Sequence, residues 1–368
     1  MLGLAGLSGF ASESEFPGPK EFDKLTVGQT SFYKVKVRNV TPESITIFHS
    51  KGITQISLSD LSPDLQKAFH YNPENSAAYL KQQHQRSQEQ NQARAERLQT
   101  MESKKQAKRN ATDLQQMLRS PLELKPTTDL RPRIRELSLV SKNQGLRPSC
   151  AVFAVVSALE IQNARLNNRA TRLSEEYLVW ATRKSLGLDK MAMRASEDGT
   201  SFSDAGFALM EVVSALRSYG IPTHKEMPNT FGKGMNAIEP PPKNIVNQAR
   251  ERSKIVAYSI AARDPATSLE YILKILNSHQ PVVVGIGWPT WRKLGNDHFL
   301  SKQKPRQGYS HAVTLVGYKC ESGRLEDIRF IFKNSYGTKW GLAGYGIATY
   351  EYLLQNMGSA IYLDSTSI

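Results

Sequence analysis

The chain has 368 residues, enough for two or three domains at the usual roughly 100–200 residues each. Apolar residues make up 39% of it and 24 glycines add to them, which excludes a wholly disordered chain. The formal net charge is +14, and no apolar run approaches the roughly 18–20 residues of a membrane span. The chain has two cysteines, too few for a disulfide framework or a cysteine-rich zinc module. The composition predicts a basic, core-forming protein without a transmembrane segment and with a free thiol.

Residues 1–25 are predicted to be a leader. The first twelve are rich in Leu, Gly and Ala and have the length of a signal-peptide apolar region, but no Lys or Arg precedes them. Two interpretations stay open: a truncated signal peptide, which would mean a periplasmic or extracellular protein, and a disordered terminus of a cytoplasmic one. Pro17 and Pro19 predict an unstructured entry through residue 28.

Residues 26–75 are predicted to form a small β module. Period-two alternation of apolar and polar residues predicts three short strands, separated by turn residues and followed by a short helix. Because so short a segment buries little core alone, we expect it to lean on another part of the chain. The predicted strands are 32–39, 44–49 and 53–58, and the apolar positions of the helix are Leu61, Leu65 and Phe69.

Residues 76–128 are predicted to be a basic, Gln-rich helical spacer. Neither Gly nor Pro occurs from Ser76 to Leu118, and good helix formers without a wide apolar stripe predict an exposed helix or a solvated linker. Residues 81–135 carry 13 Lys/Arg against 6 Asp/Glu, a charge suited to nucleic acid or to an acidic surface. No Phe, Trp or Tyr between Tyr79 and Leu118 offers a platform for stacking bases, so nucleic acid is not the expected partner.

The main domain is predicted over residues 129–368, and deletion of residues 1–120 is expected to leave it soluble and active. Ser149 is a good N-cap residue and Ala151–Leu166 is strongly helical, so Cys150 falls in the first turn of a helix. Free backbone amides and the helix dipole favour a thiolate there, which predicts a lowered pKa and a nucleophile. The alternative is an inert cysteine packed as a small apolar group.

Seven histidines are candidates for the base that a thiol nucleophile requires. We favour His311 because it opens the apolar run 312–318, a predicted buried strand that would hold the ring at the mouth of a cleft. His298, in a polar loop, is the alternative imidazole. The other five lie in the N-terminal regions or beside prolines.

Two side-chain amides are predicted to join this cysteine and histidine. The strand predicted at 329–333 runs into Asn334, and its antiparallel pairing with the strand after His311 would bring that amide beside the imidazole. Gln144, six residues before Cys150, can be directed to the same cleft by the intervening loop as a donor to an oxyanion.

This set of residues resembles the papain-like cysteine peptidases, the C1 family, over about residues 130–363. Four sequence blocks carry the resemblance, and together they are highly specific. They are Lys142–Gly145 with Ser149–Cys150, Leu173–Glu176, Ser310–Val313 with Val316–Tyr318, and Lys333–Thr338 with Trp340–Gly341 and Gly344–Tyr345.

The resemblance implies an α+β, papain-like catalytic domain of two lobes, a helical lobe with the cysteine and a β-barrel-like lobe with the histidine, with substrate between them. It implies Cys150 as the nucleophile, whose backbone amide is a second oxyanion donor. It further implies His311 as the acid/base, Asn334 as the residue that orients the imidazole, and Gln144 as the first oxyanion donor. The residues expected in the substrate-binding wall of the cleft are Gly199, Trp288 and Ser310.

The chain departs from the family pattern at four points. Ala151 stands where an aromatic residue usually follows the cysteine, and Tyr336 replaces the usual Trp after Asn-Ser. Arg147 stands where the family has a disulfide cysteine. The 161 residues from Cys150 to His311 exceed the usual spacing of about 130–150, which fits an insertion around 229–252.

We therefore predict a cysteine peptidase that hydrolyses peptide or protein substrates through an acyl-enzyme, without a metal or other cofactor. The alternative is a papain-like pseudoenzyme or binding module whose basic N-terminal region contacts acidic partners. Retention of all four catalytic identities argues against that alternative. Cys320 is expected to be an uninvolved thiol, and the sequence leaves open the subsite preference, endo- or exopeptidase action, a zymogen and the oligomeric state.

Overall fold

The computed structural model describes residues 16–188, 206–231, 234–235, 238–251, 255–260, 262, 264–290 and 298–365. The chain divides into two compact units, residues 1–101 and 102–368. Residues 1–15 of the predicted leader lie outside the described residues.

The first unit contains a four-stranded antiparallel sheet in the order β1-β2-β3-β4. Its strands are β1 (Glu21–Val27), β2 (Thr30–Val40), β3 (Ser44–His49) and β4 (Gly52–Ser57), and helix α1 (Pro63–Ala68) follows them. Alternate apolar side chains are buried in β2 (Val35 and Val37) and β3 (Ile45 and Ile47), which agrees with the predicted period of two. The expectation of an unstructured entry through residue 28 is wrong, because β1 pairs with β2 along its whole length although Leu25 is its one buried side chain.

Helix α2 (Pro73–Arg119) is 47 residues long and exposed over most of its length, as its composition predicts. Its last turns belong to the second unit. There Leu114 is 8% exposed, and Met117 and Leu118 pack against the same apolar cluster. This differs from the expectation of a spacer without any core residue, because three apolar positions at helical spacing suffice to attach the end of a polar helix.

The second unit is built on a sheet in the order β6-β12-β7-β9-β10-β11-β8, with β5 beside β9. All pairs are antiparallel except the short pair of β8 and β11. The strands are β5 (Thr127–Asp129), β6 (Ile255–Ser259), β7 (Val282–Gly287), β8 (Phe299–Leu300), β9 (Ser310–Lys319), β10 (Arg329–Lys333), β11 (Tyr345–Thr349) and β12 (Met357–Ser365).

Helices form the other half of this unit and pack mainly against each other and one face of the sheet. The apolar cores of α4, α5 and α6 merge with residues of β7, β9 and β12, whereas α8 covers a second core on the sheet. This is the α+β, two-lobed architecture that was predicted. The helices are α3 (Arg131–Glu136), α4 (Cys150–Asn167), α5 (Glu175–Ser185), α6 (Leu209–Tyr219), α7 (Lys243–Glu251), α8 (Pro265–Asn277) and α9 (Tyr350–Asn356).

The predicted pairing of β9 with β10 is confirmed. The strands are antiparallel, with Lys333 opposite Thr314, so the residue after β10 returns toward the start of β9. Cys150 begins α4, and α4 packs against β9, which brings the two ends together. Within the described ranges, no helix has both the length and the apolar character needed to cross a bilayer.

Candidate active site

Cys150 is the first residue of α4 and is half-buried. The helix forms because a long run of Ala and Val with a few larger apolar residues follows the cysteine, and nearly every side chain from Ala151 to Ala164 is buried. Ser149 precedes the helix as predicted but makes no side-chain cap bond, so the amides of the first turn are not occupied by it.

The ionisation of Cys150 is set by two opposing effects. Burial of the sulfur raises the pKa of the thiol, while the backbone amides of Ala312, Ala151 and Cys150 itself lower it. Burial is the larger effect, so the pKa is raised. The expectation of a lowered pKa is wrong for this state, because it counted the helix amides without the loss of water around the sulfur.

His311 lies at the start of β9 and is buried, next to Ala312. Its Nε2 is 2.7 Å from Oδ1 of Asn334, and the backbone N–H of Ser335 donates to the same oxygen at 2.8 Å. Because a backbone N–H can only donate, the atom it meets must be the amide oxygen. Nε2 of the imidazole therefore carries a proton, and Nδ1 is left as the free lone pair of the neutral ring.

Aromatic side chains enclose the imidazole of His311. The ring centroid of Trp288 lies 4.4 Å away and that of Tyr336 lies 4.9 Å away. Burial lowers the pKa of His311 to about 4, although the hydrogen bond to Asn334 acts in the opposite direction. The ring is thus neutral at neutral pH and able to accept a proton.

Gln144 lies in the loop before α4 with its amide held from both ends. Its Nε2 donates to the carbonyl oxygen of Arg147 at 2.8 Å, and its Oε1 accepts from Oγ of Ser335 at 2.5 Å. A carbonyl oxygen can only accept, so these contacts fix which end of the amide is the nitrogen. One of its two N–H bonds is used by Arg147, which leaves the second for another acceptor.

Asn334 is supported through its backbone. Its amide donates to the carbonyl of Gly344 at 2.9 Å, and its carbonyl accepts from Oγ of Ser141 at 2.5 Å. A Cβ at Gly344 would lie 2.2 Å from Cβ of Ser141, so only glycine fits behind this contact. Among the described atoms, Nδ2 of Asn334 is buried without a hydrogen-bond partner.

Sequence reasoning missed a group of charged side chains, Lys142, Glu160, Glu175 and Lys333, that are largely buried in the second unit. Nζ of Lys142 contacts Oε1 of Glu160 at 2.6 Å and also contacts Glu175, and Nζ of Lys333 donates to Oγ of Ser157 at 3.0 Å. Burial of Lys142, which lowers its pKa, is outweighed by the two carboxylates, which raise it. Burial lowers the pKa of Lys333 to about 8. The available signal was a glutamate within the apolar run of α4.

The residues expected in the cleft wall have different fates. Ser310 is exposed beside His311, whereas Trp288 is only 5% exposed because its ring packs against the imidazole and has little surface to offer a ligand. Gly199 lies outside the described residues.

His298, the alternative imidazole, and Cys320, expected to be an uninvolved thiol, have other contacts. The ring of His298 packs against that of Trp340 with the ring centroids 4.4 Å apart and the planes tilted by 38°. Cys320 is buried, and its sulfur contacts the carbonyl of Arg324 at 3.3 Å. Nowhere in the described part of the chain do three His, Cys, Asp or Glu side chains gather as a metal site.

Known proteins are similar to this chain in sequence. A probable cysteine protease of Arabidopsis thaliana is 27% identical over 202 residues, which are 54% of this chain and 48% of that protein. The viral cathepsin of Orgyia pseudotsugata multicapsid polyhedrosis virus is 28% identical over 197 residues, which are 54% of this chain and 51% of that protein. This chain thus matches about half the length of these relatives.

A solved structure and a family model extend the comparison. Xylellain, a cysteine protease from Xylella fastidiosa, superimposes with a TM-score of 0.50 over 66% of this chain and 87% of that chain, and at 20% identity the likeness concerns the fold alone. The family model described as papain family cysteine protease matches residues 124–357, more than half of the chain. The chain therefore belongs to the papain family of cysteine proteases.

Proposed function

We propose that this chain is a cysteine peptidase that hydrolyses peptide bonds with Cys150 as the nucleophile and His311 as the acid and base. The observation that carries the proposal is the bond from Nε2 of His311 to Asn334. Since Oδ1 of Asn334 is identified by the Ser335 amide, the imidazole keeps its Nδ1 lone pair free to take a proton. The backbone amide of Ala312, the residue after His311, acts on the sulfur of Cys150, which supports the thiol as the proton donor.

The first step begins from a neutral pair. The pKa of Cys150 is raised and that of His311 is lowered to about 4, so thiol and imidazole are both uncharged at neutral pH. Nδ1 of His311 accepts the thiol proton while the sulfur attacks the carbonyl carbon of the peptide bond. The imidazolium that forms is stabilised by the oxygen of Asn334, which accepts from Nε2.

The oxyanion of the tetrahedral intermediate needs donors that do not move during the reaction. The free N–H of Gln144 is one, because both ends of that amide are fixed, and the backbone N–H of Cys150 at the helix start is the other. His311 then gives its proton to the leaving amine, and an acyl-enzyme remains on the sulfur. Water activated by the neutral ring hydrolyses it and restores the thiol.

The proposed substrates are peptides or proteins in extended form, as the family implies. Ser310 is exposed beside His311 and is proposed to contact them. Gly199 keeps its proposed role from the resemblance, and Trp288 acts by packing on His311. No described feature favours the pseudoenzyme alternative.

The proposed domain organisation follows the composition of the chain. It comprises a leader (1–25), a β module (26–75), a helical spacer (76–128) and a peptidase domain (129–368), and the packing of Leu114 supports an earlier start for the folded peptidase unit. Export is proposed on the apolar residues 1–12 alone, and a cytoplasmic protein is the alternative. Fractionation of expressing cells would test it, and a full-length protein retained in the cytoplasm would contradict it.

The proposed activity is tested by labelling with a peptide that carries a thiol-directed electrophile such as an epoxide. Mass spectrometry should find the label on Cys150, and peptide hydrolysis should be lost in Cys150→Ala. Cys320→Ala is the matched control, because that thiol is buried away from the site, and it should keep the parent rate. Label on Cys320, or hydrolysis retained in Cys150→Ala, would contradict the proposal.

A further inference from the structure

Arg147 is buried with only 3% of its side chain exposed, in the loop between Gln144 and Cys150. Its Nη1 contacts Oε2 of Glu176 on α5 at 2.5 Å, and Glu176 is 2% exposed. A charge pair this deeply buried persists only where further hydrogen bonds complete it. Its function therefore depends on what the rest of the guanidinium and the carboxylate contact.

Three further bonds complete the pair. Nε of Arg147 donates to the carbonyl of Gly234 at 3.1 Å, and Nη2 donates to Oγ1 of Thr230 at 3.1 Å. Oγ1 of Thr230 in turn donates to Oε1 of Glu176 at 2.5 Å. The guanidinium thus ties the loop to α5, to Thr230 and to Gly234, and the last two lie in the region where the sequence indicates an insertion.

The backbone of Arg147 faces the other way, toward the active site. Its carbonyl accepts from Nε2 of Gln144 at 2.8 Å and from the backbone N–H of Ser149 at 2.8 Å. The side chain of this residue is thereby anchored in the helical half, while its carbonyl holds the amide that is the proposed oxyanion donor. Each guanidinium nitrogen and the carbonyl oxygen of Arg147 thus has a hydrogen-bond partner.

We propose that Arg147 is a positioning residue for peptide hydrolysis: its ion pair with Glu176 and its bonds to Thr230 and Gly234 hold the carbonyl that orients Gln144. This role rests on the proposed peptidase function. These polar contacts lie where the family has a disulfide cysteine. Through them, residues of the predicted insertion help to hold the loop that precedes Cys150.

The single variant Arg147→Met would leave the Glu176 carboxylate buried without its partner and is expected to fold poorly. The decisive variant is therefore the double replacement Arg147→Met and Glu176→Leu, which removes both charges and fills the space. A buried ion pair replaced by apolar side chains of similar volume commonly keeps its stability, so the thermal midpoint should stay near that of the parent.

In the double variant kcat should fall by about 10- to 100-fold, as for outer partners of a catalytic group, and below the loss of about 10²–10³ for an oxyanion donor itself. KM should change little, because the lost alignment matters in the transition state. The rate of Cys150 alkylation by iodoacetamide should stay at the parent value. In a Gln144→Ala background the same double replacement should cause no further loss of kcat.

The control is the exposed pair of Arg324 and Asp327, where Arg324→Met should leave kcat unchanged. An unchanged kcat in the folded double variant would contradict the role of Arg147. A loss that multiplies with that of Gln144→Ala would also contradict it, because the effect would then not pass through Gln144. A parent protein without Cys150-dependent hydrolysis would overturn the proposed function, and the role of Arg147 with it.

Discussion

Leu114 offers a sharp test of how the long helix α2 contributes to the second unit. Its side chain is 8% exposed within the apolar cluster under α8, and replacement by Ala removes most of that contact. Leu→Ala in protein cores costs about 2–5 kcal/mol. We expect about 2–3 kcal/mol for Leu114→Ala, because the site lies under one helix and can partly close over the cavity.

The matched control is Leu98→Ala in the same helix, where the side chain is 55% exposed. Surface replacements of this kind change the free energy of unfolding by no more than about 0.5 kcal/mol. Both variants replace Leu by Ala within a helix, so the difference in helix propensity is the same in each. The difference between the two variants therefore reports burial alone.

Urea unfolding followed by tryptophan fluorescence is the suitable assay, since all four tryptophans of the chain lie after residue 102. Leu114→Ala should lower the midpoint by about 1 M at an unchanged slope, if the slope is about 2–3 kcal/mol per M. Leu98→Ala should leave the midpoint where it is. Equal midpoints for the two variants would refute the packing of α2 on this core.

Two further results are expected. Removal of residues 1–101 should leave both the rate of peptide hydrolysis and the urea midpoint unchanged. Removal of residues 1–120 also takes away Leu114 and Met117 and should give a less stable protein. Equal stability of the two truncated proteins would contradict the packing of these side chains. Burial lowers the pKa of His311 from 6.5 to about 4, so between these pH values the imidazole is protonated in the unfolded chain and neutral in the folded one. The free energy of unfolding should therefore fall by up to about 3 kcal/mol as the pH is lowered from 6.5 toward 4. His311→Gln should flatten the dependence of unfolding free energy on pH in that window, and a variant curve parallel to that of the parent would show that another group titrates.

Periodicity alone predicted the elements that carry the site. The apolar run after His311 and the strand before Asn334 are strongly patterned, and their antiparallel pairing follows from the short connection between them. Strand β1 escaped prediction because only Leu25 of its side chains is buried, so it has no alternation to detect. Its pairing comes from backbone bonds, which side-chain patterns do not encode.

The ionisation of the site residues could not be predicted from the sequence, because it depends on burial. The pKa of Cys150 depends on how much water the fold removes from the sulfur, and a position at a helix start does not report that. The contacts of Lys142 with Glu160 and Glu175 join residues 18 and 33 positions apart, so no local pattern announces them. The motifs named the residues of the site, while their charges required the tertiary structure.

The presence of only two cysteines, both free, bears on the redox conditions that this fold tolerates. Oxidation of a thiol nucleophile to sulfenic acid or to a mixed disulfide blocks it, so reductants keep it active. A fold braced by disulfides is weakened by the same reductants. Here Arg147 stands where the resemblance to the family places a disulfide cysteine, and no thiol can cleave its contact with Glu176. Reductant concentrations that keep Cys150 fully active therefore break no stabilising bond in the protein. The redox potential that preserves the nucleophile does not lower the stability of the fold.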